Sequence, residues 1–179
     1  MKQILRLSLT LLLITAVLAA ALAGVNEITK DQIAAAKAEK TAKAISAVLE
    51  NGASAVEVPY AAEGDTIVTK VYKNENGYAV QVSPSGFAGT IDMMVGIDLE
   101  GKVTGISIIS HTENAGLGAV AAATTSAGEE FRGQFVGMNG SVAVSKDGGE
   151  VEAITGATIT SRAICDGINA ALECVANMG

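Results

Sequence analysis

The stretch EAITGATITSRA, residues 152–163, brings together side chains that could carry chemistry. Around its Gly-Ala step it holds four hydroxyl side chains: Thr155, Thr158, Thr160 and Ser161. The residues before it predict a strand that ends at Ile154, and the residues after it have the apolar spacing of a helix. One hydroxyl is enough to cap a helix, so the others are candidates for a different role.

Two interpretations of this corner are open. In the first, Thr158, Thr160 or Ser161 caps the helix. Gly156 then supplies a backbone angle that other residues avoid. In the second, the N–H groups at the helix start bind a phosphate, which the small residues Gly156 and Ala157 allow to approach the backbone. No P-loop lysine follows, which argues against nucleoside triphosphate hydrolysis. A covalent link to a threonine hydroxyl would retain such a cofactor on an exported domain.

Export is suggested by the first 25 residues. Lys2 and Arg6 precede an uncharged, apolar stretch, residues 7–25, which as a helix would be about 28 Å long, close to the thickness of a bilayer core. A signal peptide cleaved near Ala21-Leu22-Ala23 is the alternative, but a signal core is typically about 7–15 residues long. The length therefore favours a retained single-pass anchor. The basic start predicts a cytoplasmic N-terminus and an extracytoplasmic domain.

The composition excludes several classes of partner. The chain carries 12 basic and 19 acidic residues, a net charge of −7, with 3% aromatic residues and no tryptophan. This argues against nucleic acid, which needs basic surface and stacking platforms. The sequence lacks the Cys/His spacings typical of metal sites, so no metal site is predicted. On one helix, Cys165 and Cys174 would face opposite sides and could not form a disulfide.

The remaining pattern predicts an α+β fold. Asn26 could cap a stalk helix that ends near Gly52. Five β-rich runs bounded by turn residues then predict an antiparallel sheet: residues 53–58, 66–73, 78–83, 90–97 and 103–110. NENG and DLEGK predict two of its hairpin turns. A short helix at 128–135, strands at 141–145 and 151–154, and a final helix complete the prediction.

Three segments follow from this pattern. Residues 1–25 form the transmembrane anchor, residues 26–52 form a stalk or linker helix, and residues 53–179 form the extracytoplasmic domain with flanking helices. Within the sheet, Met93 and Met94 are predicted to be core residues.

Two of the motifs resemble those of a known family. EAITGAT is similar to Asp-x-x-(Ser/Thr)-Gly-Ala-Thr, the flavinylation motif of the FMN-binding domains in ion-pumping redox complexes. HTENAGLG, residues 111–118, is similar to that family's His-x-Glu-Thr-Pro-Gly-Leu-Gly. The resemblance extends over nearly the whole chain and is strongest to Rnf-type members. The sequence departs from the motifs at Glu152, which replaces Asp, and at Asn114-Ala115, which replaces Thr-Pro.

The resemblance implies a role for each motif residue. Thr158 would carry FMN through a phosphoester that a dedicated flavin transferase makes from FAD. The phosphate end of the site would be lined by Thr155, Gly156 and Ala157. The isoalloxazine ring would be approached by Glu113, Leu117 and Gly118. His111 is expected to be a structural hydrogen-bonding residue.

The implied function is electron transfer. The chain would be an electron-carrying subunit of a membrane-bound ferredoxin:NAD+ oxidoreductase that pumps Na+ or H+, with no complete catalytic site of its own. Its partners would be the other subunits, the flavin transferase and, through residues 7–25, the lipid bilayer. The alternative is a non-enzymatic, membrane-anchored binding or scaffold module without a cofactor. An autonomous flavin reductase is disfavoured because no dinucleotide-binding fingerprint occurs.

Overall fold

The computed structural model describes residues 2–60 and 67–178. The chain divides into two units, Met1–Glu39 and Lys40–Gly179. One helix, α1 (Lys2–Val48), forms the first unit and continues into the second. The prediction that Asn26 caps a separate helix is therefore wrong. This part of the chain has no proline and is rich in Ala and Leu, so nothing in it stops a helix.

The first part of α1 is long and apolar enough to cross a membrane. Its hydroxyl side chains bond to the helix's own backbone: Thr10 Oγ1 donates to the Arg6 carbonyl at 2.8 Å, and Thr15 Oγ1 donates to that of Leu11 at 3.0 Å. Each hydroxyl is thereby satisfied without water, as an apolar medium requires.

The second unit contains an antiparallel sheet, as predicted. Its five strands follow one another in chain order and each pairs with the next. The strands are β1 (Val56–Val58), β2 (Val68–Asn74), β3 (Gly77–Val82), β4 (Asp92–Asp98) and β5 (Val103–Ser110). The run predicted at 66–73 begins at Thr66, which lies outside the described residues.

Both predicted hairpin turns are confirmed. Gly77 closes the β2–β3 turn opposite Asn74 with a φ of +148°, a value that favours glycine. In the β4–β5 turn, Asp98 Oδ1 accepts hydrogen bonds from the backbone N–H groups of Glu100 and Lys102, both at 2.9 Å. An aspartate that bonds the backbone two residues further on is typical of such turns.

The main core lies between one face of the sheet and two helices, α2 (Ser126–Gly133) and α3 (Thr158–Ala176). Ile164 and Ile168 of α3 are fully buried in it, as is Met93 of the sheet. Phe131 of α2 and Phe135, which follows the helix, pack edge to face with ring centroids 5.3 Å apart. Cys165 also lies in this core, and burial raises the pKa of its thiol to about 12.

The other face of the sheet is covered by the end of α1. The four buried side chains of this helix end pack on Ala79 and Met94: Ala44, Ile45, Val48 and Leu49. Gly96 permits the close approach, because a Cβ there would lie 2.2 Å from the Val48 carbonyl oxygen. Met93 and Met94 are thus both core residues, as predicted, on opposite faces. The proposed boundaries at residues 25 and 52 stay predictions.

Side chains of the sheet and of its β2–β3 turn bond the carbonyls at and just beyond the end of α1. The last carbonyls of a helix have no partner within the helix. The Thr104 hydroxyl donates to the Val48 carbonyl. Two residues beyond the helix end, the Glu50 carbonyl accepts from the amide groups of Asn74 and Asn76 at 2.9 and 3.0 Å. The end of this helix is therefore an integral part of the second unit.

The prediction of strands at 141–145 and 151–154 is wrong. A single parallel bridge joins Val144 to Val151, and Ser145–Asp147 forms a 3-10 turn. Side-chain amides take the place of neighbouring strands. Asn169 bonds both the N–H and the carbonyl of Val142, at 2.7 and 2.8 Å, and Gln134 does the same for Glu152, at 2.7 and 3.2 Å.

The packing of α1 on the sheet predicts the effect of Ile45→Ala. Ile45 is 6% exposed, so truncation should lower the free energy of unfolding of the second unit by about 2–4 kcal/mol through lost burial and a residual cavity. Denaturant unfolding of the full chain in detergent, followed by circular dichroism, measures this change.

The matched control is Ile33→Ala on the same helix. Ile33 is 61% exposed, and its truncation should change the free energy by less than about 0.5 kcal/mol. Equal effects of the two substitutions would contradict the assignment of the helix end to the core.

Candidate functional site

A cavity of about 360 Å³ lies in front of the N-terminus of α3. Four separate segments meet there: the loop before β4, the loop after β5, the 3-10 turn, and the corner that leads into α3. The lining residues are Phe87, Glu113, Asn114, Leu117, Gly118, Lys146, Gly156, Ala157, Thr158, Ile159 and Thr160.

The corner itself is a tight turn that Ser161 fixes in place. The N–H of Ala157 donates to the Ile154 carbonyl at 2.9 Å across the turn, and Gly156 takes a φ of +74°. The buried Ser161 hydroxyl accepts from the Ile154 N–H and donates to the Ala157 carbonyl, both at 3.0 Å. Its two bonds join the end of the incoming strand-like segment to the first turn of the helix.

The first of the two interpretations, in which Thr158, Thr160 or Ser161 caps the helix, is wrong. The helix begins at Thr158, so the capping position falls on Ala157, whose side chain has no acceptor. The first helical backbone bond joins the Ser161 N–H to the Ala157 carbonyl. The preceding N–H groups of the first turn have no partner within the helix and give its end a partial positive charge.

Thr158 stands at this positive end with a lysine beside it. Its side chain is partly buried and lines the cavity, and its Oγ1 accepts a hydrogen bond from Lys146 Nζ at 3.3 Å. The hydroxyl of Thr158 is thus left for chemistry, whereas Ser161 is used by the turn.

The Thr160 hydroxyl is used by Glu113. Glu113 is only 8% exposed, and its Oε2 accepts from Thr160 Oγ1 at 2.5 Å while its Oε1 accepts from the Ala88 N–H at 3.0 Å. Gly118 leaves room for this pair, because a Cβ there would lie 2.4 Å from Oε2 and 2.5 Å from Oγ1. One buried carboxylate therefore ties together three of the segments that surround the cavity.

The structure brings six of the seven predicted site residues to the cavity. These are Glu113, Leu117, Gly118, Gly156, Ala157 and Thr158. Thr155 lies at an exposed position of the turn and is not among the lining residues. His111 makes a structural contact, as predicted: its Nδ1 accepts from the Glu113 N–H at 3.2 Å.

Sequence reasoning missed Phe87, Lys146 and Thr160 as part of the site. Phe87 is 63% exposed. The one sequence signal that could have identified it is an aromatic residue in a glycine-containing segment, SGFAG. In the sequence, Lys146 lies between two predicted strands and belongs to no motif, and Thr160 is one of four clustered hydroxyl residues. Their proximity to Thr158 and Glu113 depends on tertiary contacts that no short spacing encodes.

The carboxylate next to Lys146 pairs with an arginine and forms no ion pair with the lysine. Arg162 forms a bidentate pair with Asp147, Nε to Oδ2 at 2.6 Å and Nη2 to Oδ1 at 2.7 Å. This guanidinium holds the pKa of the Asp147 carboxyl below its usual value. Both carboxylate oxygens of Asp147 are therefore engaged by arginine.

Comparison with known proteins assigns the chain. A model of the FMN-binding domain matches residues 86–173, and a model of the RnfG N-terminal region matches residues 1–48. The G subunit of the ion-translocating oxidoreductase complex of Methanosarcina acetivorans is 34% identical over 97% of this chain and 95% of its own length. The G subunit of the Na+-translocating ferredoxin:NAD+ oxidoreductase complex of Acetobacterium woodii is 32% identical, over 99% and 94%.

The chain belongs to the family of G subunits of ion-translocating oxidoreductase complexes. The resemblance noted in the sequence is confirmed. Residues 86–173 contain every residue that lines the cavity. Membrane association of the chain is indicated by the family and by the apolar part of α1.

The residues around the cavity fit FMN. A cofactor with a phosphate group and a flat apolar ring needs cationic or N–H groups for the phosphate and apolar side chains for the ring. The side of Thr158 offers the ammonium of Lys146 and the helix N-terminus, both suited to phosphate. Large apolar side chains that remain partly exposed supply the other requirement: Phe87, Leu117 and Ile159.

The crowding around Glu113 predicts the effect of Gly118→Ala. The added methyl group would collide with Glu113 and Thr160 and should lower the free energy of unfolding by about 1–3 kcal/mol, the usual cost of overpacking. Denaturant unfolding of the full chain measures it.

Gly133→Ala at the end of α2 is the control, since a Cβ there meets nothing within 4 Å. Alanine at such a position should be neutral or slightly stabilising. Equal free energies of unfolding for the two variants would contradict the structural role of the buried Glu113–Thr160 pair.

Proposed function

We propose that this chain is an electron-carrying subunit of a membrane-bound, Rnf-type ferredoxin:NAD+ oxidoreductase complex and holds FMN covalently on Thr158 through a phosphoester. The observation that carries the proposal is the position of Thr158. Its hydroxyl faces the cavity of an FMN-binding domain at a helix N-terminus, beside an ammonium group. The two neighbouring hydroxyl groups, those of Thr160 and Ser161, are already engaged in buried hydrogen bonds.

The names of the relatives support the redox role. They describe subunits of ion-translocating oxidoreductase complexes and, in two organisms, of ferredoxin:NAD+ oxidoreductase complexes that translocate Na+ or protons. Bound FMN supplies the electron-transfer chemistry. The other subunits of the complex are the partners, and no complete catalytic site is assigned to this chain alone.

The residues of this chain position the cofactor. Phe87, Leu117 and Ile159 exclude water from the ring. Glu113 and Gly118 hold the loop against α3, while Gly156 and Ala157 bring the backbone close to the phosphate, with Thr155 at the outer edge of the turn. The covalent bond keeps the cofactor on the domain. This matters because FMN that dissociated into the extracytoplasmic medium would not be replaced.

The proposed placement follows the charge pattern. Residues 7–25 cross the bilayer once, Lys2 and Arg6 keep the N-terminus cytoplasmic, and residues 53–179 form the domain on the extracytoplasmic side. Residues 26–52 lead from the membrane to this domain. A flavin transferase is the maturation partner. The exposed Glu152, whose backbone Gln134 holds in position, presents the first residue of the motif to it.

Attachment to Thr158 is tested by producing the full chain together with a flavin transferase. The wild-type protein should give a fluorescent band after denaturing electrophoresis and a mass increase equal to FMN less one water. Thr158→Ala should abolish both signals because the acceptor oxygen is gone.

Thr155→Ala is the control and should retain both signals, since Thr155 lies outside the cavity lining. Fluorescence that persists in Thr158→Ala but disappears in Thr155→Ala would move the attachment site. An unmodified wild-type chain would favour the alternative, a membrane-anchored module without a cofactor.

The buried carboxylate beside the cavity predicts a shift in the flavin reduction potential. Glu113→Gln removes one negative charge, yet its carbonyl oxygen can still accept from Ala88, and its amide can donate to Thr160. Losing a nearby negative charge stabilises the reduced flavin. The potential should rise by on the order of 50 mV, the effect of a unit charge about 10 Å away at an effective dielectric constant of 20.

Potentiometric titration of the loaded full chain measures this shift. Glu75→Gln, an exposed carboxylate in the β2–β3 turn, is the matched control and should leave the potential nearly unchanged because solvent screens it. A lower potential in Glu113→Gln, or an equal shift in both variants, would contradict the electrostatic role of Glu113.

A further inference from the structure

We propose that Lys146 binds the phosphate group of the FMN attached to Thr158 and is the ionic anchor of the cofactor's anionic end. This inference rests on the proposed covalent attachment and adds a binding residue outside both sequence motifs. Lys146 lies in the 3-10 turn, 12 residues before Thr158.

The first support is the contact itself. Lys146 Nζ lies 3.3 Å from Thr158 Oγ1, and the lysine side chain lines the same cavity. Esterification would place the phosphate directly on that oxygen, so the ammonium that neighbours Oγ1 would also neighbour the phosphate oxygens. A phosphodiester keeps one negative charge at neutral pH, and a hydrogen bond between two charged groups is about twice as strong as one between neutral groups.

The second support is that the backbone of Lys146 is fixed to the core. The Ser145 N–H donates to the Val151 carbonyl and the Asp147 N–H donates to the Val144 carbonyl, both at 2.8 Å. Val144 and Val151 are themselves buried. The ammonium therefore approaches the cavity from an anchored turn, although the side chain is exposed to solvent.

The third support is the local arrangement of charge. Asp147, the adjacent carboxylate, is held by Arg162 through both of its oxygens. Among the ion pairs of the described residues, none within 4 Å includes Lys146. In the unmodified chain its described hydrogen-bond partner is the neutral hydroxyl of Thr158. An anion bonded to the Thr158 oxygen would give the ammonium an ion pair in direct contact, whereas Asp147 attracts it only from beyond ion-pair distance.

The test compares the full chain with and without FMN attached by the transferase, for wild type, Lys146→Gln and Lys146→Arg. FMN stays bonded to the chain in both the folded and the unfolded state. The difference in unfolding equilibrium between loaded and unloaded protein therefore reports only the contacts that FMN makes in the folded state. Intact mass gives the loaded fraction of each sample.

We expect Lys146→Gln to lower the folded-to-unfolded ratio of the loaded protein about threefold to tenfold, the range for a partly solvated ionic hydrogen bond. The unloaded protein should be unchanged. The effect should shrink in about 1 M salt, and the ³¹P resonance of the phosphodiester should move. Lys146→Arg should restore most of the stability. The inference would also be supported if Lys146→Gln folded normally but did not accept flavin, while wild type and Lys146→Arg did.

Lys40→Gln, which removes an exposed lysine of α1, is the control and should change none of these quantities. The inference is overturned if the wild type is loaded on Thr158 and Lys146→Gln behaves like Lys40→Gln. The proposed function then still stands. A wild type that carries no FMN on Thr158 overturns both.

Discussion

The architecture of the site depends on one buried carboxylate and its two donors. Glu113 is buried, and a buried carboxylate without partners would be strongly destabilising. The Thr160 hydroxyl and the Ala88 N–H compensate this cost, and in doing so they draw the loop before β4, the loop after β5 and the first turn of α3 together. The cavity is the space that remains in front of these three segments. A polar contact thus determines the shape of a largely apolar site.

The corner carries several hydroxyl side chains because they have different roles. Ser161 closes the turn, and Thr160 satisfies the carboxylate. Thr158 lines the cavity with its oxygen next to the ammonium group of Lys146. Of the four hydroxyl side chains in this stretch, those of Ser161 and Thr160 stabilise the corner, that of Thr158 is left available for modification, and that of Thr155 lies at an exposed position outside the cavity.

Local sequence signals were sufficient for the sheet and insufficient for the cavity. The strands and hairpins could be predicted because alternation and turn residues act over a few neighbouring positions. The segments around Val142 and Glu152 were mistaken for strands because their partners are side-chain amides of Asn169 and Gln134, which lie 27 and 18 residues away. The interpretation of these hydroxyl groups as helix caps is wrong for a related reason. The Thr160 hydroxyl bonds Glu113, 47 residues away, and the Ser161 hydroxyl bonds the backbone of Ile154 and Ala157 within the corner. Lys146 carried no signal at all, since only the fold brings its turn to Thr158.

The burial of Cys165 has a consequence for a protein that handles electrons. Reduced flavins that meet dioxygen release hydrogen peroxide, and peroxide attacks the thiolate form of cysteine. With a pKa of about 12, the sulfur of Cys165 is protonated in all but a minute fraction of molecules at neutral pH. At this position the core helix that begins at the cavity therefore carries a thiol that resists attack by peroxide.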